Sequence, residues 1–471
     1  MSEKTERTLS LAGLFTAFMF LQLTVLGLGN RAGAGLLSPE RREMVYYVLQ
    51  VFVLLGFFAY AALDSLLRSA RARRRAASCV FCAFGVGGAV MVLASVESRL
   101  YLPVTLAVMP CLGYIGGMTY HRMSRETAAG AAAARAMGLG SALAVALQFL
   151  LQLQWGALPV LPPVLLAALI VLGLLLLRPA PASLPEERPA PASPRYLLSA
   201  CLIAAAFILF SSFYNGYIHH LQILSGYTEY NVYSWPRLML IPCYLLFAAL
   251  GDVRQGRLVP PVSLCIALAA MLNSVLVGSA GAYRLNMCLF YCSVGASVAY
   301  YDLTFWRLAG GTKHPALWAS AGRMLDSALV LVSGAIHISR LPAAAVLASD
   351  LAGLVLIILL MALRGDFNLS LPAPGKESPL PPLPPPPAPP APQCSPESAL
   401  RCLRERYALT QRETEVLREL VLTEDKQSVI GERLDIRPRT VQAHVTVLYR
   451  KTGASTRSGL TDLYRKTLAG E

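Results

Sequence analysis

Between Leu409 and Tyr464 the chain spaces its polar residues as one hydrogen-bonding surface. Pro438 opens a predicted helix over 438–452, at a first position where a missing N–H costs nothing. Gly453 is placed to stop it. Val441, Val445 and Leu448 fall on one face of that helix at a spacing of three to four. Gln442, Ala443 and Thr446 then point the other way, from its N-terminal half. Arg437, Arg439, Thr440, Arg450 and Lys451 flank them. Guanidinium and ammonium groups in that number suit phosphates, whereas amide, hydroxyl and methyl groups suit base edges. The bland alternative for the charged residues is a solvated helix face.

Those residues need a scaffold, and the preceding sequence supplies one. Thr410-Gln411-Arg412-Glu413 has the form of a capping box, in which the hydroxyl and the carboxylate each satisfy an orphan amide. It predicts a first helix over 411–422 with Val416, Leu417 and Leu420 inward. A second helix is expected over 426–434 with Val429, Ile430 and Leu434 buried, followed by a turn at 435–437. A fourth runs from Arg457 to Leu468.

The matching residues are Leu409-Thr410-x-Arg412-Glu413-x-Glu415-Val416-Leu417, Glu432-Arg433-Leu434, Thr440-Val441-x-x-His444, Lys451-x-Gly453 and Arg457. This pattern resembles the LuxR-type helix-turn-helix, the output domain of many bacterial transcription regulators. The resemblance implies that the third helix enters the major groove of DNA. It implies that Gln442, Ala443 and Thr446 read bases, and that the fourth helix carries a dimer contact. Two positions that are often lysine in the family are Gln442 and Thr446 here. Gln can bond adenine bidentately and Thr can touch a thymine methyl. The segment Thr423–Gly431 looks one residue longer than in the family.

Everything before residue 370 is a different kind of object. The chain of 471 residues is 55% hydrophobic and 14% charged, with mean hydropathy +0.52. Its apolar residues come in blocks of about 18–22, the length that crosses a bilayer as a helix. Twelve such blocks can be marked: 9–29, 43–63, 78–96, 100–120, 135–154, 157–177, 196–216, 233–250, 258–278, 285–305, 316–338 and 343–363. The first is too long for a usual signal-peptide core, so it is read as a span. Residues 399–471 carry 14 Lys/Arg against 10 Asp/Glu, so most of the net charge of +14 lies near the membrane. With a cytoplasmic N-terminus, the inner loops hold fifteen arginines and lysines and the outer loops six. An even span count returns the C-terminus to the cytoplasm, where DNA is.

Arg178–Arg195 is a Pro/Ala spacer that divides the blocks six and six. That layout resembles the major facilitator superfamily. So does Gly251-Asp252-Val253-Arg254-Gln255-Gly256-Arg257 between the eighth and ninth blocks, with a degenerate copy around Asp64 and Arg73. The resemblance implies that Asp252 caps a helix end, that Arg257 pairs across a gate, and that a ligand sits between the two halves. Ionisable residues inside spans are costly and mark function. Arg323 and Asp326, three apart on the eleventh block, are expected to pair on one face. Arg237 and Asp302 are expected to snorkel towards the interfaces. Asn215, beside Tyr214 and Tyr217, is a further candidate for the ligand site.

Cys79-x-x-Cys82 and Cys288-x-x-x-Cys292 lie inside apolar blocks and read as packing residues. The chain shows no phosphate-binding glycine loop, nucleophile elbow or paired metal ligands, so neither an enzyme nor a cofactor is expected. Thirteen prolines between Pro372 and Pro396 read as a polyproline spacer. The expected fold is all-α. A polytopic membrane helix bundle of six plus six spans (1–369) precedes a Pro-rich linker (370–398) and a small cytoplasmic four-helix domain (399–471). The expected function is a membrane-anchored one-component transcription regulator of the bacterial cytoplasmic (inner) membrane, with both termini cytoplasmic. Its partners would be double-stranded promoter DNA, bound as a homodimer, the lipid bilayer, and a small-molecule ligand. The alternative is an active solute transporter with a fused regulatory head.

Overall fold

The computed structural model describes residues 3–29, 39–67, 69–93, 98–128, 132–153, 161–177, 193–224, 234–276, 282–338, 341–366, 396–423, 425 and 427–469. They fall into two compact units, Met1–Leu371 and Pro372–Glu471. Most of the Pro-rich stretch and of the 178–195 spacer lies outside the described residues. All regular structure among the described residues is helical.

In the first unit the helices are α1 (Glu3–Gly29), α2 (Pro39–Leu66), α3 (Ala70–Leu93), α4 (Tyr101–Ala128), α5 (Ala133–Leu153) and α6 (Leu161–Leu177). They continue as α7 (Pro194–Leu224), α8 (Leu240–Leu250), α9 (Val259–Leu276), α10 (Ala282–Ala309), α11 (Pro315–Ala319), α12 (Ala321–Ile336) and α13 (Ala343–Arg364). Each of the twelve apolar blocks is mainly helical where it is described. Two are not uniform. The eighth begins as a 3₁₀ turn, Trp235–Met239, before α8, and the eleventh is broken at Ser320 between α11 and α12. Among the described residues seven helices, α1 to α5, α7 and α13, are long and apolar enough to cross a membrane. Three shorter apolar helical stretches are Val164–Leu177, Trp235–Leu250 and Val259–Val275.

Lipid supplies no hydrophobic drive between helices, so close approach of small residues carries more of the packing. At the α2–α4 crossing a Cβ on Gly56 would lie 2.2 Å from Pro110 O, and one on Gly113 would lie 2.0 Å from Val53 O. Only glycine fits at either place. Further in, Tyr120 of α4 is ringed by Phe15 at 6.0 Å, Phe18 at 5.8 Å and Trp306 at 5.6 Å between centroids. The two phenylalanine contacts are edge-on and the tryptophan is tilted, and aromatic pairs of this kind are worth about 0.5–1.5 kcal/mol each beyond area burial.

The second unit contains α14 (Pro396–Arg406), α15 (Gln411–Leu422), α16 (Gln427–Arg433), α17 (Pro438–Thr452) and α18 (Arg457–Ala469). The four expected helices are therefore preceded by a fifth, whose Ala399, Leu400 and Leu403 join the core of Val416, Leu417, Ile430, Val441, Leu448 and Leu460. Burying one such leucine contributes about 1.5–3 kcal/mol. Val429, expected in the core, is 37% exposed. The seven-residue α16 starts at Gln427 and buries Ile430, as expected, with Gly431, while Leu434 just beyond it is half-buried.

The capping box holds the start of α15. Glu413 N donates to Thr410 Oγ1 at 3.3 Å, and Thr410 N donates to Glu413 Oε2 at 2.7 Å. The same Oε2 accepts from Lys451 Nζ at 2.7 Å, and Lys451 also donates to Ala408 O at 3.0 Å. One carboxylate thus joins the beginning of α15 to the end of α17. Burial pushes the Glu413 carboxyl up, but the hydrogen bonds from Lys451 and Thr410 outweigh it, and the group titrates below its ordinary value of 4.5. A depressed carboxylate stabilises the fold above the ordinary value, and that contribution is lost as pH falls through the lower, folded one. Residues 396–471 are therefore expected to lose stability as pH falls below 4.5. Glu413→Gln is expected to be about 1 kcal/mol less stable at neutral pH, the usual cost of losing a cap, with a smaller further loss in acid. Urea unfolding of both proteins at neutral and acid pH checks this; equal acid losses would remove the Glu413 charge from the account.

Candidate nucleic-acid interface and buried polar groups

Pro438 stands at the first turn of α17, with Arg437 before it in extended backbone (φ −67°, ψ 144°). Gly453 ends the helix in the left-handed region at φ 75°, its N–H donating to Tyr449 O at 2.9 Å. Val441, Val445 and Leu448 are buried as their spacing requires, at 0%, 5% and 0% exposure. That fixes the rotation of the helix about its axis. Arg437, Arg439, Thr440, Gln442, Ala443, Thr446 and Arg450 are consequently all exposed. The Thr446 hydroxyl bonds back to Gln442 O at 3.0 Å, which leaves its methyl for outside contact.

Lys451 stands apart from these seven. It is half-buried and its ammonium is engaged by Glu413 and Ala408 O.

The turn between α16 and α17 has its own requirements. Ile436 N donates to Gly431 O at 2.9 Å, and a Cβ on Gly431 would lie 2.7 Å from Ile436 O. Asp435 takes the left-handed conformation at φ 51°, which short polar side chains tolerate best after glycine. Sequence reasoning matched Arg457 to the family pattern without a task for it. Its guanidinium donates to Leu420 O at 3.0 Å, Asp425 O at 2.7 Å and Thr423 O. It thereby satisfies carbonyls at the end of α15, where a cation is also favoured by the helix dipole. Arg433 of α16 pairs with Glu419 at 3.0 Å and with Asp425. The loop into the second helix of the motif is thus held by two arginines.

In the first unit Arg323 is buried, at 9% exposure. The expected partner, Asp326, lies 3.7 Å away and is itself more exposed. The shortest contact comes from elsewhere: Arg323 Nε donates to Tyr120 Oη at 2.7 Å. Asp302 also lies 3.7 Å from Arg323 and accepts from Tyr120 Oη at 3.3 Å. Asp302 does not snorkel; it is 1% exposed. The group joins α4, α10 and α12, three helices that the sequence spreads over some two hundred positions. The Arg323 guanidinium also lies over the Tyr301 ring, at 5.5 Å.

Arg237 does not snorkel either. It is 6% exposed and donates to Gln148 Oε1 at 2.9 Å. In both places a guanidinium buried among helices finds its acceptor on another helix rather than at an interface. Asn215 is half-buried on α7. Its neighbour Tyr214 donates to Asn286 Oδ1 at 2.8 Å, and Ser274 donates to the same oxygen at 3.0 Å. Asn286 was not singled out from the sequence, nor was Asp350 of α13. Asp350 is fully buried, and neither carboxylate oxygen has a hydrogen-bond partner among the described residues. Its signal was available: an acid in the middle of an apolar run of twenty residues.

Asp252 caps α5. Its two carboxylate oxygens accept from Ala134 N at 3.1 Å and Arg135 N at 3.0 Å. Arg257 is half-buried, and the side chain of Arg254 lies outside the described residues. Arg307 is bound to this turn, donating to Gly251 O at 2.7 Å, and Arg135 lies 4.0 Å from Asp252. Gly256 has φ 76°, and a Cβ there would meet Arg307. No group of metal-ligating residues occurs among the described residues.

No curated protein matches the chain. Residues 407–464 match the family GerE, described as bacterial regulatory proteins of the luxR family. The match covers α15 to α17 and the first part of α18, and nothing in the first unit. The C-terminal domain is a LuxR-type helix-turn-helix domain.

Proposed function

We propose that this protein is a membrane-anchored, one-component transcription regulator that binds promoter DNA through residues 407–464 and senses a small molecule through its helical bundle. The observation that carries the reading is the exposed face of α17 inside a domain of a bacterial regulatory family. Gln442, Ala443 and Thr446 would read bases, and Arg437, Arg439, Thr440 and Arg450 would contact phosphate. Lys451 would contribute less to phosphate than its family position implies, because its ammonium is engaged inside the domain. The domain would pair on DNA through α18. Six-plus-six, facilitator-like packing of 1–369, a linker at 370–398 and cytoplasmic termini complete the proposal. The arginine asymmetry supports that topology.

The sensing part rests on Arg323, Asp302 and Tyr120. A charge group shared by three helices has a limited set of geometries, and a ligand that binds two packings unequally would shift the population between them. Asn215, Arg237 and Asp326 are the further candidates for contact with it.

Binding of residues 396–471 to a cognate promoter tests the central claim. Gln442→Ala should relax preference at one base position, at a cost of about 1–3 kcal/mol on the preferred sequence. Arg439→Ala and Arg450→Ala should weaken specific and random DNA alike, each lowering the slope of log K against log salt by about one. Identical behaviour of all three variants on both kinds of DNA would refute the division of labour. For topology, reporter fusions after Arg68 and after Arg364 should both score cytoplasmic; an outside score at either would overturn the twelve-span arrangement. For sensing, Arg323→Gln with Asp302→Asn removes the guanidinium together with its more buried carboxylate, so that only the more exposed Asp326 keeps a charge and the cost of about 3–5 kcal/mol of stranding a buried one is avoided. This double variant should accumulate normally and bind DNA, yet lose its transcriptional response. A normal response would make the group purely structural.

A further inference from the structure

A cavity of about 250 Å³ opens between α2, α3, α4 and α6, and none of the Arg323 group lines it. Four arginines line it, Arg73 and Arg74 from the start of α3 and Arg122 and Arg125 from the end of α4, against one carboxylate, Asp64. That carboxylate is already engaged, since Arg73 lies 3.3 Å from it. Arg122 is engaged too, by Glu126 at 3.0 Å, and Glu126 also pairs with Arg7. Among the described residues no carboxylate pairs with Arg74 or Arg125, and both are exposed.

Two further features favour an anion here. The positive end of the α3 dipole lies at Ala70, yet Arg71, Arg73, Arg74 and Arg75 crowd the first two turns. Cations there oppose the dipole, and an anion bound among them would offset the repulsion. Apolar side chains share the lining: Ala77 of α3, and Leu176 and Leu177 at the end of α6. An arginine rim beside an apolar wall at the end of spanning helices matches a molecule with a phosphate and a hydrocarbon chain.

We propose that this cavity is a phosphate-binding site, held chiefly by Arg74 and Arg125, which takes the phosphate of an anionic phospholipid or of a free phosphate ester. Each guanidinium presents a planar fork of donors that matches two phosphate oxygens. The apolar wall makes the lipid the better fit, because a free ester leaves Leu176 and Leu177 without an occupant. The site rests on the membrane reading of the first unit but not on DNA recognition, so loss of one in an experiment leaves the other intact.

Full-length protein purified in a neutral detergent tests it, with thermal unfolding followed while phosphatidylglycerol, phosphatidylcholine or inorganic phosphate is added. The expected result is stabilisation by phosphatidylglycerol that phosphatidylcholine does not reproduce. Arg74→Gln with Arg125→Gln should weaken that response at least tenfold, and Arg74→Lys with Arg125→Lys should restore part of it. Arg74 and Arg125 are exposed and, among the described residues, unpaired with carboxylates, so the unliganded melting temperature and promoter binding should be unchanged. Stabilisation by inorganic phosphate equal to that by lipid, and lost in the glutamine variant, would assign the site to a free ester. Equal responses to the two lipids, or equal responses of wild type and the glutamine variant, would overturn the proposal.

Discussion

A peptide group inside hydrocarbon has no water to bond to, and each one left unsatisfied costs several kcal/mol. The first unit is organised by that constraint. It makes every apolar block helical, and it governs the side chains as well. Tyr214, Ser274 and Asn286 close on one another, and Arg237 finds Gln148. Arg323 gathers a phenol and two carboxylates from three helices. These contacts bring together helices distant in sequence. The glycines at the α2–α4 crossing serve the same end, by letting two already satisfied backbones touch.

The second unit meets water and follows different economics. Its core is small, so helix ends matter more than they do in a large domain. The end of α15 is held by Arg457, and its beginning by Thr410 and Glu413 with Lys451. Residues that a family pattern presents as a string of matches are, in the structure, largely the fastenings of helix termini. The residues that would meet DNA are left over on the far side of α17, and their exposure follows from the burial of Val441, Val445 and Leu448.

What was legible in the sequence followed from local rules. Spacing of three to four residues gave the orientation of α17, and the capping box, Pro438 and Gly453 gave its neighbours and limits. Apolar length gave the helical blocks. Three things were not legible. The helix α14 is strongly charged and its apolar residues are few, so it reads as linker until Leu400 and Leu403 are seen against α15 and α18. The break at Ser320 has neither proline nor glycine at the break itself, and Gly322 two residues on lies inside the next helix. The partners of Arg323 lie at Tyr120 and Asp302, and only Asp326, three residues away, can be seen by reading along the chain. Asp302 and Arg237 were expected to reach for the interface because a sequence shows the cost of a buried charge and not the acceptor that removes it.

The bond between Asp252 and the amides of Ala134 and Arg135 joins the turn after α8 to the first turn of α5. A helix start has orphan amides by construction, and here they are satisfied by a carboxylate more than a hundred residues further along the chain. Any rearrangement that draws α5 away from that turn must therefore expose two donors and one anion together, and must hydrate all three before a new packing can form. The bundle thus has a bolt that water can draw and hydrocarbon cannot. Parting at this place is confined to motions that admit solvent there, so wetting and separation become a single event with a single threshold.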